Sequence, residues 1–97
     1  MSKRIATIKS VSTGHSDWPP RVTHEGSDNV FAEGLGVHRK GDGWPIHCNT
    51  SGECHLGKAE KVSRTVFCNG RGVARIGDLI SCGDYIATGR KTVYVGD

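Results

Sequence analysis

Histidine and cysteine are the residue types of this chain whose number and spacing suit a specific chemistry. Its 97 residues include five His and four Cys, and one segment carries both in the mirrored pairs His47-Cys48 and Cys54-His55. Imidazole and thiolate are ligands that Zn²⁺ prefers, and a structural zinc ion takes four ligands in a closed tetrahedral site. The sequence therefore predicts a bound metal ion, with zinc favoured and iron as the alternative.

The elements that must position these side chains belong to an internal repeat. Residues 29–42, NVFAEGLGVHRKGD, return as residues 65–78, TVFCNGRGVARIGD, and residues 92–97, TVYVGD, begin a third copy. Each unit opens with a glycine, continues in a variable arm and ends in a short apolar strand; the opening residues are Gly14, Gly41 and Gly77. Three similar units in one short chain predict an internal pseudo-threefold.

Every arm of this repeat carries candidate metal ligands. In chain order they are His15 and His24 in the first arm, His47, Cys48, Cys54 and His55 in the second, and Cys82 in the third. Because a core formed by so few residues orders irregular arms poorly, a metal ion that joins the arms would stabilise the fold. The second arm is the longest, and we expect it to lie away from any shared base, toward the end that holds the metal.

Cys48 and Cys54 have two interpretations, either a disulfide or two further metal ligands beside His47 and His55. The chain begins MSKR and leads into no apolar signal core, so we expect synthesis in a cytoplasm without a signal peptide. Cysteines in that compartment usually stay reduced, which makes the disulfide the less favoured interpretation.

The repeat also assigns residues that need no metal. Cys68 and His38 each match an alanine of the other copy, and we predict Cys68 in the core and His38 on a strand surface. Trp18 and Trp44 follow the start of a unit at similar distances, so we expect them to pack equivalently, in the core or at its rim.

Composition and hydrophobic patterning predict a small all-β domain. Val and Ile total 15 against three Leu, no segment sustains helical periodicity, and 14 Gly indicate many tight turns. Hairpins are predicted around the turns Glu33-Gly34 and Asn69-Gly70, and Asn-Gly in particular favours a type I′ turn.

The remaining segments are assigned from local sequence. Alternation predicts an edge strand at residues 5–11, and the last two strands are predicted at residues 84–88 and 92–95. Two successive prolines forbid regular pairing in residues 14–28, which are predicted as an irregular arm. Residues 43–61 are predicted as a long loop rich in Cys, His and Gly.

Length, charge and motifs limit the possible functions. The chain is expected to form one domain, residues 1–97, and no apolar run approaches the ~20 residues of a membrane span. A net charge of +3 with dispersed Lys and Arg argues against a nucleic-acid footprint. No Gly-x-Ser-x-Gly, His-Glu-x-x-His or Walker loop is present, so we predict no enzyme. The alternatives are a small zinc-dependent hydrolase acting on envelope material, a Cys82 nucleophile with a His base, and a nucleic-acid zinc module.

The chain resembles the PAAR-repeat family over nearly its whole length, most strongly in residues 29–42 and 65–97. The residues that carry the resemblance are GRGVARIGD at 70–78, Cys82-Gly83, ATG at 87–89 and VYVG at 93–96. The Pro-Ala-Ala-Arg that names the family stands here as GVHR and GVAR, so the Gly-Asp ends and the strand pattern carry the identification. Members cap the spike of contractile phage tails and of type VI secretion systems. The length and first arm look like those of the spike-tip proteins of T4-like phages.

The resemblance implies a ligand set as well as a fold. The family's zinc site uses three His and one Cys near the apex, which implies the ligands His15, His47, His55 and Cys82. The usual first-arm position is Pro19 in this chain, so the role passes to His15, with His24 as the alternative. The implied fold is a small all-β conical domain of short strands and hairpins with pseudo-threefold repeats and the metal site near its apex.

The resemblance also implies a mechanical function. The base of the cone would sit on a trimeric β-helical spike, one copy per trimer, and extend its strands. The tip would stand on the tail baseplate spike of a virion or of a type VI-like injection machine. It would be made in the host cytoplasm, would meet the target outer membrane transiently during envelope penetration, and would bind no nucleic acid.

Overall fold

The computed structural model describes residues 2–97, and within that range it is an all-β protein without a helix. Eight short strands form four two-stranded antiparallel sheets. The strands are β1 (Lys3–Arg4), β2 (Phe31–Ala32), β3 (Leu35–Gly36), β4 (Gly43–Cys48), β5 (Cys54–Lys58), β6 (Phe67–Cys68), β7 (Arg71–Gly72) and β8 (Tyr94–Val95). The all-β prediction is therefore confirmed.

The two predicted hairpins are formed by β2–β3 and β6–β7. Their turn residues Glu33 and Gly34 have φ of 52° and 79°, and Asn69 and Gly70 have 53° and 76°. Positive φ at both central residues is the requirement of a type I′ turn, whose twist matches that of the flanking strands. Both turn predictions are confirmed.

The third hairpin is assembled from the two ends of the described chain. β1 pairs with β8 through Lys3↔Val95 and Arg4↔Tyr94. These pairs are the counterparts of Ala32↔Leu35 and Phe31↔Gly36 in the β2–β3 hairpin. Residues 4–10 thus occupy the place that residues 36–42 and 72–78 hold in the other units. This third copy was missed in the sequence because Thr7 and Ser10 replace its Arg and Asp.

Hydrogen bonds between the three copies close into a ring. Ala6 donates its N–H to the carbonyl of Ala74 at 2.9 Å, Ala74 to His38 at 2.9 Å, and His38 to Ala6 at 3.0 Å. A second ring of the opposite sense joins the flanking residues, through Ile8 to Gly36, Lys40 to Gly72 and Ile76 to Arg4. Each central strand therefore contacts both others, and the predicted pseudo-threefold is confirmed.

The ring separates two apolar cores. Successive strand residues point to opposite sides, so one core is built from Ile5, Val37 and Val73 together with Ala32, Cys68 and Val95. The residues next in sequence contribute to the other core, which contains Ala6, Trp44, Ala59, Ala74, Ile80 and Ile86. We call the end formed by the three hairpins the base. Cys68, 3 % exposed, lies in the core near the base, as predicted.

His38 is fully buried, and its predicted place on a strand surface is wrong. It matches Ala74, which is itself fully buried, so an alanine at the equivalent position marked an interior site. The imidazole meets Trp44 edge-on at a ring distance of 5.3 Å, and its Nδ1 lies 2.7 Å from the carbonyl oxygen of Glu25.

The second arm is not the predicted loop, because β4 and β5 pair as a hairpin with a bulge between Trp44 and His47. The other strand predictions were too long. Residues 5–11 form β-bridges only at Ile5, Thr7 and Val11, and residues 84–88 only at Tyr85 and Ile86. The observed pairing is shorter than predicted because, in the pseudo-threefold, each segment pairs with one neighbouring segment for only one or two residues before it meets the next.

The fold is elongated, with principal extents of 38 × 27 × 22 Å. Residues 14–28 form no named strand, as predicted for the first arm. Within residues 2–97 there is no helix with the length and apolarity needed to span a bilayer.

Candidate metal centre

Four side chains from the three arms meet at one place. They are His15 from the first arm, His47 and His55 from the second, and Cys82 from the third. One nitrogen or sulfur atom from each lies within 4.8 Å of every other, and three of the four residues are only half-buried. The structure thus brings together the four residues that the sequence predicted, and their binding of a metal stays a prediction. We call this group the His₃Cys cluster.

The β4–β5 ladder provides the first two members. His47 and His55 are direct cross-strand partners, and their Nε2 atoms are 2.6 Å apart. Two nitrogens bound to one tetrahedral zinc at 2.0–2.1 Å would be about 3.3 Å apart, so a small opening of this pair admits the ion. His47 Nδ1 lies 2.8 Å from the carbonyl oxygen of Pro19. That bond assigns the proton to Nδ1 and leaves Nε2 free as a ligand.

A tight turn presents His15. The N–H of His15 donates to the carbonyl of Trp18 at 3.0 Å, and the N–H of Trp18 donates back at 2.7 Å. Gly14 has φ of 73°, and a Cβ there would lie 2.6 Å from the Trp18 oxygen, so only glycine fits this approach. Nε2 of His15 is buried without a hydrogen-bond partner, which suits a metal ligand.

His24 does not belong to the cluster. Its side chain is exposed, and it lines a shallow surface pocket beside Glu25 and Pro45. Of the two first-arm candidates, the structure therefore places His15 beside the other three ligands.

Trp18 packs against the cluster. Its ring lies 3.8 Å from that of His55 at an interplanar angle of 13°, and His15 stacks on His55 at 5.3 Å. Burial lowers the pKa of His55, and the neighbouring His47 and His15 lower it further. A neutral imidazole is the form that binds a metal ion. Trp44 instead lies in the core at 1 % exposure, so the prediction that the two tryptophans pack equivalently is wrong.

Cys82 is held by the third arm in a short turn. Gly83, with φ of 100°, donates its N–H to the carbonyl of Ile80 at 2.9 Å. Cys82 is half-buried and packs against the second core. Its Sγ accepts a hydrogen bond from Nη2 of Arg21 at 2.8 Å.

Cys48 and Cys54 form a disulfide, so the less favoured interpretation of this pair was the correct one. The two residues face each other in the β4–β5 ladder with Cα atoms 4.1 Å apart. Direct cross-strand pairing brings the thiols together, a proximity that an argument from the redox compartment does not capture. The bond links the residues adjacent to His47 and His55 and leaves neither sulfur as a thiolate ligand.

The first two arms are joined beside this hairpin. The carboxylate of Asp17 accepts hydrogen bonds from the hydroxyl of Thr50 at 2.5 Å and from its N–H at 3.1 Å. The hydroxyl and N–H of Thr50 lower the pKa of Asp17. The turn of the longer hairpin is therefore attached to the arm that carries His15.

Comparison with known protein families shows to which family the chain belongs. The PAAR motif model matches residues 13–88, a range that includes all three arms and all four members of the cluster. The chain belongs to the PAAR-motif family. Membership is consistent with a structural spike-tip protein of contractile injection systems, and PAAR motifs bind metal. PAAR-motif proteins associate with the spike and sit at its tip. No curated protein matches the chain significantly.

Three residues around the cluster were missed by sequence reasoning. Pro19 contributes only a backbone oxygen, which no side-chain pattern reveals. Arg21 is 7 % exposed although it stands in a polar, proline-flanked arm, and nothing local distinguishes it from the solvated arginines. Trp18 offered a signal, since an aromatic residue three positions after a candidate ligand is well placed to cover it.

Proposed function

We propose that this PAAR-motif protein is the metal-stabilised tip of a contractile injection spike, and that it caps a trimeric β-helix. The observation that carries the proposal is the repetition of one exposed aromatic residue at the base. Phe31, Phe67 and Tyr94 occupy equivalent positions of β2, β6 and β8, and are 58 %, 62 % and 56 % exposed. A partner with threefold symmetry would meet three nearly equivalent contacts on one chain.

The base also offers strand edges. Within residues 2–97, each base hairpin is a separate two-stranded sheet, so β2, β6 and β8 each have a single ladder partner. Strand addition could continue the β-structure of the spike into the tip through these edges. Val30 and Val66, 40 % and 39 % exposed, enlarge the apolar surface beside two of them.

At the opposite end, zinc would be held by His15, His47, His55 and Cys82. Three imidazoles and one thiolate fill all four positions of a tetrahedral ion and leave none for a reacting water. The ion would supply cross-linking rather than catalysis. Its role is to fix three arms that the second core contacts mainly through Ile80, Ile86 and Trp44.

This function places the protein at the end of a tail or type VI-like spike, where a rigid tip would penetrate the target envelope. The stoichiometry of the complex, one tip chain to three spike chains, tests this proposal. We expect native mass spectrometry of the chain mixed with the β-helical spike protein of the same injection system to show one tip per trimer. A 3:3 assembly, or no complex, would contradict the proposal.

Two matched variants locate the interface. Changing Phe31, Phe67 and Tyr94 together to Ser should abolish the complex, because all three lie on the base. Changing Ile46 and Leu56 to Ser removes apolar side chains that are equally exposed, at 59 % and 67 %, but belong to the β4–β5 hairpin. That control should bind like the unmodified protein.

A further inference from the structure

One buried arginine connects all three arms behind the His₃Cys cluster. Arg21 leaves the first arm, and its guanidinium donates to Cys82 Sγ at 2.8 Å in the third arm. Its other terminal nitrogen donates to the carbonyl of Pro45 at 2.5 Å and lies 3.4 Å from that of His55, both in the second arm. The side chain is 4 % exposed, so these contacts are made away from bulk water.

A buried carboxylate balances the charge of this arginine. Asp84 is fully buried, and its Oδ2 lies 4.0 Å from Arg21 Nε. Its Oδ1 accepts hydrogen bonds from the hydroxyl of Thr13 at 2.8 Å and from the N–H of Tyr85 at 3.0 Å. A buried guanidinium without such a partner would be strongly destabilising.

The backbone of β5 leaves room for the contact. A Cβ at Gly57 would lie 2.7 Å from Arg21 Nη2 and 3.2 Å from Cys82 Sγ. Any larger residue at this strand position would therefore force the guanidinium and the sulfur to move. The hairpin that supplies two histidines is thus shaped to let the arginine reach the cysteine.

We propose that Arg21, whose charge is balanced by Asp84, is a positioning residue for the thiolate ligand of the metal centre. This inference rests on the metal site proposed above. The N–H···S hydrogen bond fixes the sulfur on the side of the three imidazoles. It also withdraws electron density from the thiolate, which weakens sulfur-to-metal donation. Because it holds the sulfur in place, Arg21 slows metal loss without being a ligand, although the sulfur is a weaker donor.

Cobalt(II) substitution separates this role from a general effect on folding. Co²⁺ bound to a thiolate has a sulfur-to-metal charge-transfer band whose energy reports the donor strength of the sulfur. In Arg21→Met we expect this band at longer wavelength. We also expect Co²⁺ transfer to a chelator to be 10–100-fold faster, because loss of a hydrogen-bond partner of a metal ligand typically costs that factor in metal affinity. Arg21→Lys, which keeps the charge but loses the planar fork, should give a smaller change of the same sign.

Arg75 offers a matched control. It is also buried, at 3 % exposure, and is paired with the fully buried Asp78 through bonds of 2.8 and 3.0 Å. Arg75→Met and Arg75→Lys should lower stability yet leave the band position and the Co²⁺ transfer rate unchanged.

The outcomes distinguish the inference from the proposed function. If the unmodified chain binds no Co²⁺, the metal site itself is refuted. If it binds Co²⁺ but the Arg21 variants keep the same band and transfer rate, or change no more than the Arg75 variants, only the role of Arg21 is refuted. Should Arg21→Met not fold, the comparison of Arg21→Lys with Arg75→Lys decides the question.

Discussion

At the scale of single residues, the two free cysteines differ in what surrounds them. Cys82 faces three imidazoles and accepts a hydrogen bond from Arg21, whereas Cys68 is enclosed by apolar side chains in the core near the base. Cys68 lies on the short strand β6 and Cys82 in a turn, but both are single free thiols, so the chemistry of the residue alone does not separate them. Their positions in the fold distinguish the two cysteines.

We predict that Cys82→Ser weakens metal retention far more than Cys68→Ser. A hydroxyl is a poor substitute for a thiolate on zinc, so Cys82→Ser should speed metal loss by at least 10-fold. Cys68→Ser buries a hydroxyl in the core and should lower the free energy of unfolding by about 1–3 kcal/mol while the metal stays bound. Elemental analysis after dialysis and chemical denaturation measure the two effects. Equal metal loss in both variants would show that the ligand is misplaced.

His38 provides a pH-dependent prediction. Burial lowers its pKa below the ordinary 6.5, against smaller upward effects of the Glu25 carbonyl and the Asp42 carboxylate. Below pH 6.5 the unfolded chain therefore binds a proton that the folded chain resists, so the free energy of unfolding falls as the pH decreases. His38→Ala, which places there the residue found at the equivalent position Ala74, should remove this part of the pH dependence.

The measurement is the difference in unfolding free energy between the unmodified chain and His38→Ala from pH 7.5 to pH 5. The cavity left by the imidazole gives a constant offset, and titration of the His₃Cys cluster is common to both proteins and cancels. The difference should shift in favour of the variant below pH 6.5. A difference independent of pH would contradict the prediction.

At the scale of elements, the β4–β5 hairpin departs most from the repeat. It is longer than the hairpins at the base, carries two members of the cluster on one face and has the Cys48–Cys54 disulfide next to them. Its cross-strand register fixes which histidines meet, since a slip of one residue would turn them to the other face. The disulfide fixes that register independently of any metal.

We predict that reduction of the disulfide destabilises the chain by about 2 kcal/mol, the loop-entropy value for a link between residues six positions apart. The double variant Cys48→Ser/Cys54→Ser should show the same loss in oxidising buffer and no further loss when reductant is added. Denaturant unfolding at saturating zinc, with and without reductant, measures both. Identical stability of the unmodified chain in the two buffers would contradict the prediction.

At the scale of the whole molecule, closure of the threefold depends on β8. Val95 completes the core near the base, while Tyr94, its neighbour, points outward at 56 % exposure. The two residues lie on one two-residue strand and have opposite roles. One stabilises the chain, and the other belongs to the surface proposed to meet the spike.

We therefore expect Val95→Ala to lower the free energy of unfolding by about 2 kcal/mol, the cost of a small cavity in a packed core. Tyr94→Ser should change it by no more than about 0.5 kcal/mol but weaken binding to the trimeric spike. Denaturant unfolding and titration against the spike measure the two properties. Loss of stability in both variants, or in neither, would be inconsistent with the assigned faces.

Several features of the fold and of the His₃Cys cluster could be predicted from the sequence. The repeated 14-residue segment indicated the pseudo-threefold, and Glu33-Gly34 and Asn69-Gly70 predicted two hairpins, because both signals depend on residues close together in the chain. The resemblance of the motifs to the PAAR-repeat family supplied the four residues of the cluster. All of these predictions rest on local sequence patterns, which can be recognised without knowledge of the tertiary structure.

Only the tertiary structure decided the rest, because it depends on which distant segments meet. The third hairpin joins residues 3–4 to residues 94–95, and no local pattern indicates that pairing. The choice of His15 over His24 follows from the turn closed by Trp18, and the disulfide from direct opposition of two cysteines in a ladder. The burial of Arg21 requires an acidic partner 63 positions away, Asp84, and is decided by packing rather than by composition.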